Sequence, residues 1–535
     1  MKKISLLVVL ILSACMPEIH RITLAEPIAN IAEIAEIEVE EMESLIFARM
    51  SENFPVHGGT LRLSMRIPST FNPLLNEDAT VARIFQLMYE PLIIFDDELR
   101  PVPHLAELEF SFNGANVIVT IRDDAFWNDG SPITAEDLAY SIEVLRNAPA
   151  DAIYSQFVQN FSTVEVLDFK SARITFSTIV GGAAYMFNFP IIPAHFNDNE
   201  VPVSNGLFML ESVDFTETLT LVKNPYTFRV HPYIENISII TTSNAETDLT
   251  AFDRMLVDVY NSSIPDWARH YSVNPVQFAE YPAMHFDFIG FNFARSVPAL
   301  HDFRQAIYLS LNVESLISDI FLTHAVPTRT PIHPMSWLSY TNLPESIYDV
   351  ALARSIAGRA ITHATRHRLW SVDEYNTNQP LVVLVNQENP ERVRMARHLV
   401  NQMTELGFDT ELVSVSFDEY VELLEAGEFD VFLGGYNLSM KPDLRFALHS
   451  GSPDNVLAYS NANMDYLLEI ARLSGTDSSF QRVISDIQLH IVEDIPLIPL
   501  AFRHASLILD PRIRGDLSPS ISNIFMNIEN WHIAP

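Results

Sequence analysis

The chain has 535 residues, 48% of them apolar and 19% charged, with 33 Lys and Arg against 68 Asp and Glu and one cysteine. That apolar content is enough for folded cores, and at roughly 100–200 residues per domain the length predicts two to four domains or two large lobes. A net charge of −35 would repel phosphate backbones, so no nucleic-acid partner is expected, and a single cysteine excludes an intrachain disulfide or a zinc site built from several thiolates.

At the N-terminus, Lys2-Lys3 and the apolar stretch Ile4 to Leu12 fall well short of the roughly 20 residues that span a bilayer, so residues 1–14 read as a signal peptide. Leu12-Ser13-Ala14-Cys15 follows and resembles a bacterial lipobox, which makes Cys15 the expected site of lipidation and the membrane anchor. Residues 15–57 form an acidic tether: Met16 to His57 holds nine Glu and no Asp, with Arg21 and Arg49 the sole Lys or Arg residues. Ile28, Ile31, Ala35, Val39, Met42 and Ile46 recur at helical spacing, so an amphipathic helix is predicted there, as a solvated spacer or a partner-binding helix.

The folded body begins at Gly58-Gly59 with a predicted strand over Thr60 to Ser64. Asn116 to Arg122 alternates as another strand, Asn128-Asp129-Gly130-Ser131 reads as a turn, and Thr134 to Asp137 opens a helix carrying Leu138, Ile142 and Leu145 on one face. Between Pro380 and Tyr436 the pattern is β-α-β-α-β. It runs from a strand at Leu381 to Val385 and a helix from Asn389-Pro390 to Gly407, through a strand at Thr410 to Val415, to a helix from Ser416 to Gly427 and a strand at Phe429 to Tyr436. One lobe should therefore hold a mostly parallel sheet, and the fold class is α/β.

The sequence has no phosphate-cradling glycine loop ending in Gly-Lys-Ser/Thr, no His-Glu-x-x-His string and no Gly-x-Ser-x-Gly elbow. His363 and His367 stand four apart, but Arg359, Arg366 and Arg368 beside them would repel a cation. No metal site, cofactor or enzymatic activity is expected, and the acid pairs Asp96-Asp97 and Asp123-Asp124 abut turns and read as solvated.

A series of short strings resembles extracytoplasmic solute-binding proteins of family 5, the peptide-binding components of ABC importers. In chain order they are Gly58-Gly59-Thr60-Leu61, Phe71-Asn72-Pro73-Leu74, Tyr89-Glu90-Pro91-Leu92, the long string from Ala125 to Asp137, Asn205-Gly206-Leu207-Phe208, Lys223-Asn224-Pro225-Tyr226, Gly290-Phe291-Asn292-Phe293, Phe303-Arg304-Gln305-Ala306 and Glu493 to Pro499. Each is weak alone; their order over nearly the whole of Gly58 to Phe502 is specific. The resemblance implies a two-lobed periplasmic-binding-protein-like clamp of type II with an extra subdomain and a hinge. Residues 58–90, 205–295 and 501–535 would form the first lobe, 91–204 an inserted subdomain and 296–500 the second lobe, with crossings near Ala294-Arg295 and Leu500.

The implied function is a monomeric, lipid-anchored binder, at the cell surface or in the periplasm, that captures a peptide or related solute and hands it to an ABC permease. A receptor or sensor of the same fold is the alternative, and a hydrolase a more distant one. By resemblance the peptide would add as a strand between Met65, Arg66, Ile67 and Pro68 on one lobe and Gly434, Gly435, Tyr436 and Asn437 on the other, with Trp337 as a cleft aromatic. Peptide-binding relatives place an Asp for the ligand's α-amino group where Leu438 falls here. The ligand should then lack a free amine at that spot, outreach the cleft or not be an ordinary peptide, unless Asp443 supplies the charge.

Overall fold

In the computed structural model the described residues are 55–196, 201–213, 218–263, 275–345, 347–371 and 378–534. Cys15, the signal peptide and almost all of the acidic tether, with its expected helix, lie outside them.

The strand Thr60–Met65 alternates, with Leu61, Leu63 and Met65 buried, and runs parallel to Asn236–Thr241 at the edge of a four-stranded sheet. Leu219–Lys223 and Phe208–Val213 complete that sheet, so the chain on either side of residues 91–204 meets in it. A second four-stranded sheet, antiparallel throughout, is built from Ala106–Phe110, Asn116–Ile121, Ser171–Phe176 and Phe161–Val166, all within that inserted stretch. Helix Ala135–Arg146 covers it with Leu138, Ile142 and Leu145 fully buried, as the helical spacing requires.

The largest sheet has seven strands. Its order is Val259–Ser262, Leu497–Leu509, Gln277–Phe291, Val431–Asn437, Leu381–Asn386 and Thr410–Val415, with Ala325–Pro327 paired beside Leu497–Leu509. The last three of that order are the β-α-β-α-β unit, parallel as expected. Asn389 caps helix Pro390–Glu405 by accepting the Arg392 N–H at 3.0 Å, and Gly427 ends helix Phe417–Ala426 at φ 67°. The third strand starts at Val431 rather than Phe429; before it, the Asp430 backbone donates to the Val382 carbonyl and accepts the Asn292 N–H, and Asn292 Nδ2 donates to the carbonyls of Gly427 and Phe429.

Gln277–Phe291 and Leu497–Leu509 are the two longest strands and pair antiparallel. Their register slips between Pro282 and Phe286: residues 283–285 face Arg503 alone, beside a proline that has no N–H to give the ladder. This irregularity precedes the crossing at Ala294-Arg295 read from sequence; Leu500 lies on the partner strand near its other side. Among the described residues no helix is long and apolar enough to cross a membrane.

Candidate functional site

A cavity of about 610 Å³ lies where Val431–Asn437 ends, a size usual for small-molecule sites. Its wall is the stretch Asn437 to Phe446, with His449 and Gly451 to Pro453, closed by Pro331, Ile332, His333 and Ser336, by Met284 from the register slip, and by Leu99 and Gln156 from the inserted stretch. Sheet pairing with Leu381–Asn386 stops at Leu384 opposite Phe432, so the final residues of Val431–Asn437 project past that neighbour. On the other side they stay paired as far as His285 opposite Asn437, and the Leu438 N–H donates to the Met284 carbonyl at 3.0 Å.

The residues expected at the site divide into two groups. Asn437 and Leu438 line the cavity, together with Asp443. Gly434, Gly435 and Tyr436 sit just behind it in the sheet. A Cβ on Gly435 would lie 1.8 Å from Arg392 Nη2, and one on Gly434 2.6 Å from the Phe432 ring, so protein groups fill the space these glycines leave. Tyr436 stacks on Phe288 at 4.8 Å and meets Phe446 edge-on at 4.8 Å; burial pushes its hydroxyl up to about 12. Met65, Arg66, Ile67 and Pro68 do not line this cavity. Met65 and Pro68 are buried, and the Met65 carbonyl accepts the Thr242 N–H at 2.9 Å. Arg66 is bound to Asp248 at 2.9 Å and to Thr242 at 2.7 Å, which leaves Ile67, 66% exposed, as the free side chain of the four.

Trp337 is a strut rather than part of the cavity wall. Its indole N–H donates to Tyr185 Oη at 2.8 Å, its backbone N–H to the Glu98 carbonyl at 2.8 Å, and Arg100 lies 4.3 Å over its ring; its carbonyl accepts from Gln481 at 2.9 Å. It therefore ties the inserted stretch to helix Asp477–Asp494.

Sequence reasoning missed the polar furniture of the wall. His333 is 2% exposed, meets the Phe502 ring at 4.7 Å in a tilted arrangement, and accepts the Met335 N–H on Nδ1 at 3.2 Å; burial depresses its pKa to about 4, so it is neutral. Its proton then sits on Nε2, an atom with no protein partner. Behind the wall runs a chain of polar contacts. His285 Nε2 accepts from Arg392 at 3.0 Å, which leaves its Nδ1–H to donate to Asn437 at 3.0 Å. Arg392 also donates to the fully buried Asp287 at 2.8 Å, and Arg503 reaches the other oxygen of that carboxylate at 2.5 Å. Burial alone would raise the Asp287 pKa, but the adjacent His285 ring and the guanidiniums of Arg503 and Arg392 outweigh it and hold the group well below the usual carboxylate range. Cavity wall, register slip and sheet are thus joined through five side chains.

A smaller cavity of about 270 Å³ holds Glu90, His104, Arg229 and Glu529. These groups satisfy one another, with Glu90 to His104 at 2.6 Å and Arg229 to Glu90 and Glu529 at 3.1 and 2.7 Å. Among the described residues no group of three or more His, Cys, Asp or Glu is placed to hold a metal ion; His363 and His367 do share a helix face, their rings 4.4 Å apart.

The chain is thus an α/β body whose largest sheet ends in a cavity, with two long antiparallel strands paired beside it. The model for bacterial extracellular solute-binding proteins, family 5 (Middle), matches residues 100–457, and the chain belongs to that family. It is 22% identical to the oligopeptide-binding protein AppA of Bacillus subtilis over 513 residues, 91% of this chain and 94% of that one. It is also 22% identical over 499 residues to the probable deoxycholate-binding periplasmic protein YgiS of Escherichia coli, covering 84% of this chain and 88% of that one. The crystal structure of the ABC transporter substrate-binding protein CtaP of Listeria monocytogenes superposes with a TM-score of 0.75 at 20% identity, over 90% of this chain and 100% of that one, a likeness of fold.

Proposed function

We infer that this protein captures a peptide or a related solute in the cavity lined by Asn437 and Leu438 and delivers it to the permease of an ABC importer. The observation that carries the reading is the strand Val431–Asn437, which outruns its neighbour and ends in a cavity of about 610 Å³ at the carboxyl edge of the sheet, where α/β folds take ligands. An extended ligand could bond its main chain there while its side chains vary. AppA is named for oligopeptides and YgiS for deoxycholate, so the solute is left at the level of a peptide or related compound.

In this reading residues 58–90, 205–295 and 501–535 act as one lobe carrying 91–204, and 296–500 as the other. The register slip at residues 283–285 is where the paired long strands would flex, so closure needs little repacking of either core. Cys15 anchors the protein extracytoplasmically through lipid, and the protein performs no chemistry on its cargo.

A casein digest incubated with the protein, washed and then released by denaturation for mass spectrometry tests the capture. Wild type should retain a defined set of peptides; Leu438→Trp, which puts a bulky ring into the cavity at the strand end, should retain less than about a tenth as much at an unchanged melting temperature. Retention of nothing, or equal retention by both, would contradict the reading. In the same preparation, Cys15→Ser should leave the membrane fraction, and its persistence there would remove the anchor from the account.

A further inference from the structure

The smaller cavity, of about 270 Å³, shares no lining residue with the large one. Three separate pieces of chain wall it: helix Ala79–Met88, the inserted stretch, and the C-terminal residues 522–529. Its apolar wall is made of flat or compact groups, Phe85, Tyr89, Pro91, Ile94, Pro190 and Met526, with Phe85 meeting Tyr89 edge-on at 6.1 Å. Packed interiors leave few voids larger than a water molecule, and an apolar cavity of about 150 Å³ is enough to take up benzene. The volume here therefore suits a molecule of one or two rings.

The charged members of the wall are committed to one another, Glu90 to His104 and Arg229, and Arg229 to Glu529, so an entering ion would displace a partner already in place. The unspent hydrogen-bonding capacity lies on neutral groups. Tyr154 is half-buried, its hydroxyl has no hydrogen-bond partner among the described residues, and burial pushes that hydroxyl up to about 12. Asn188 gives its side-chain N–H to the Ile93 carbonyl at 2.8 Å, which leaves its amide oxygen as an acceptor. An unmet hydroxyl and apolar groups without neighbours on one side both gain when a molecule of matching character fills the space.

We propose that this cavity is a second binding site, for a small uncharged aromatic molecule bearing one hydrogen-bonding group, a phenol or an indole, with Tyr154 and Asn188 as its polar contacts. The site is separate from the capture of a peptide and does not depend on that reading. A ring bound there joins helix Ala79–Met88 to the inserted stretch and to the C-terminal residues.

The test is fluorine NMR titration of the purified protein with para-fluorophenol, fluoroindole, fluorobenzene and para-fluorobenzoate. The phenol or the indole should bind wild type, with fluorobenzene about fivefold weaker and para-fluorobenzoate at least about tenfold weaker. Ala82→Phe, which puts a ring into this cavity, should lose at least about tenfold in affinity, whereas Leu438→Trp in the large cavity should bind as wild type does. Tyr154→Phe removes a single oxygen and keeps the test usable should Ala82→Phe not fold; it should weaken the phenol and the indole about fivefold and leave fluorobenzene unchanged. The proposal is overturned if neither the phenol nor the indole binds, if folded Ala82→Phe binds them as wild type does, or if Tyr154→Phe leaves them unweakened. Loss of binding in Leu438→Trp would place the probes in the large cavity and overturn it too, as would fluorobenzene or para-fluorobenzoate binding as tightly as the phenol.

Discussion

His333 shows how one buried side chain can couple folding to pH. Its pKa is depressed by burial from 6.5 to about 4, so in the folded protein it stays neutral over a range where the unfolded chain takes up a proton. A group whose folded pKa is lowered contributes fully above its unfolded pKa, and its contribution is lost as the pH falls toward the folded value. We therefore expect stability to fall between pH 6.5 and about 4, and the slope of the denaturation midpoint against pH to be shallower in His333→Gln. Equal slopes in the two proteins would show that this histidine does not titrate as described. Asp287 acts in the same direction at lower pH, since its guanidinium partners hold it ionised in the folded state.

Among the elements, the strings that made the family legible are knots that join one piece of secondary structure to another. Asp137 is the clearest. It caps helix Ala135–Arg146 reciprocally with Thr134, accepts the Ala194 N–H at 2.7 Å and accepts the Trp127 indole N–H at 3.3 Å, all at 5% exposure. Arg304 does similar work, donating to the carbonyls of Ile495 and Asp494 where helix Asp477–Asp494 ends, and Asn205 accepts the Glu90 N–H at 3.0 Å. Removing Asp137 leaves buried donors without acceptors, so Asp137→Ala should cost at least about 2 kcal/mol, seen as a lower urea midpoint; an unshifted midpoint would count against this role. Caps, turns and strand alternation are local, which is why these elements were readable with nearly correct bounds. The cavity wall was not, because the stretch Ser439 to Phe446 has no periodicity and its other members, Leu99, Gln156, Met284 and His333, come from remote parts of the chain that only the tertiary fold assembles. Arg66 and Trp337 are expected at the site by resemblance, and their own partners, Asp248 and Tyr185, are not legible because both are remote in sequence.

For the molecule as a whole, the α/β class and the parallel unit followed from sequence because buried parallel strands read as continuous apolar runs separated by capped helices. The register slip did not, since it depends on the partner strand, more than two hundred residues away, as well as on Pro282. If that slip is where two lobes rotate, ligand capture and change of shape are one event, and an importer can distinguish loaded from empty protein by the closed form alone. Small-angle scattering of the protein, alone and saturated with a peptide it retains from the digest, is the most direct measurement of this claim. The account predicts a smaller radius of gyration in the loaded protein, and an unchanged radius at demonstrated saturation would contradict it.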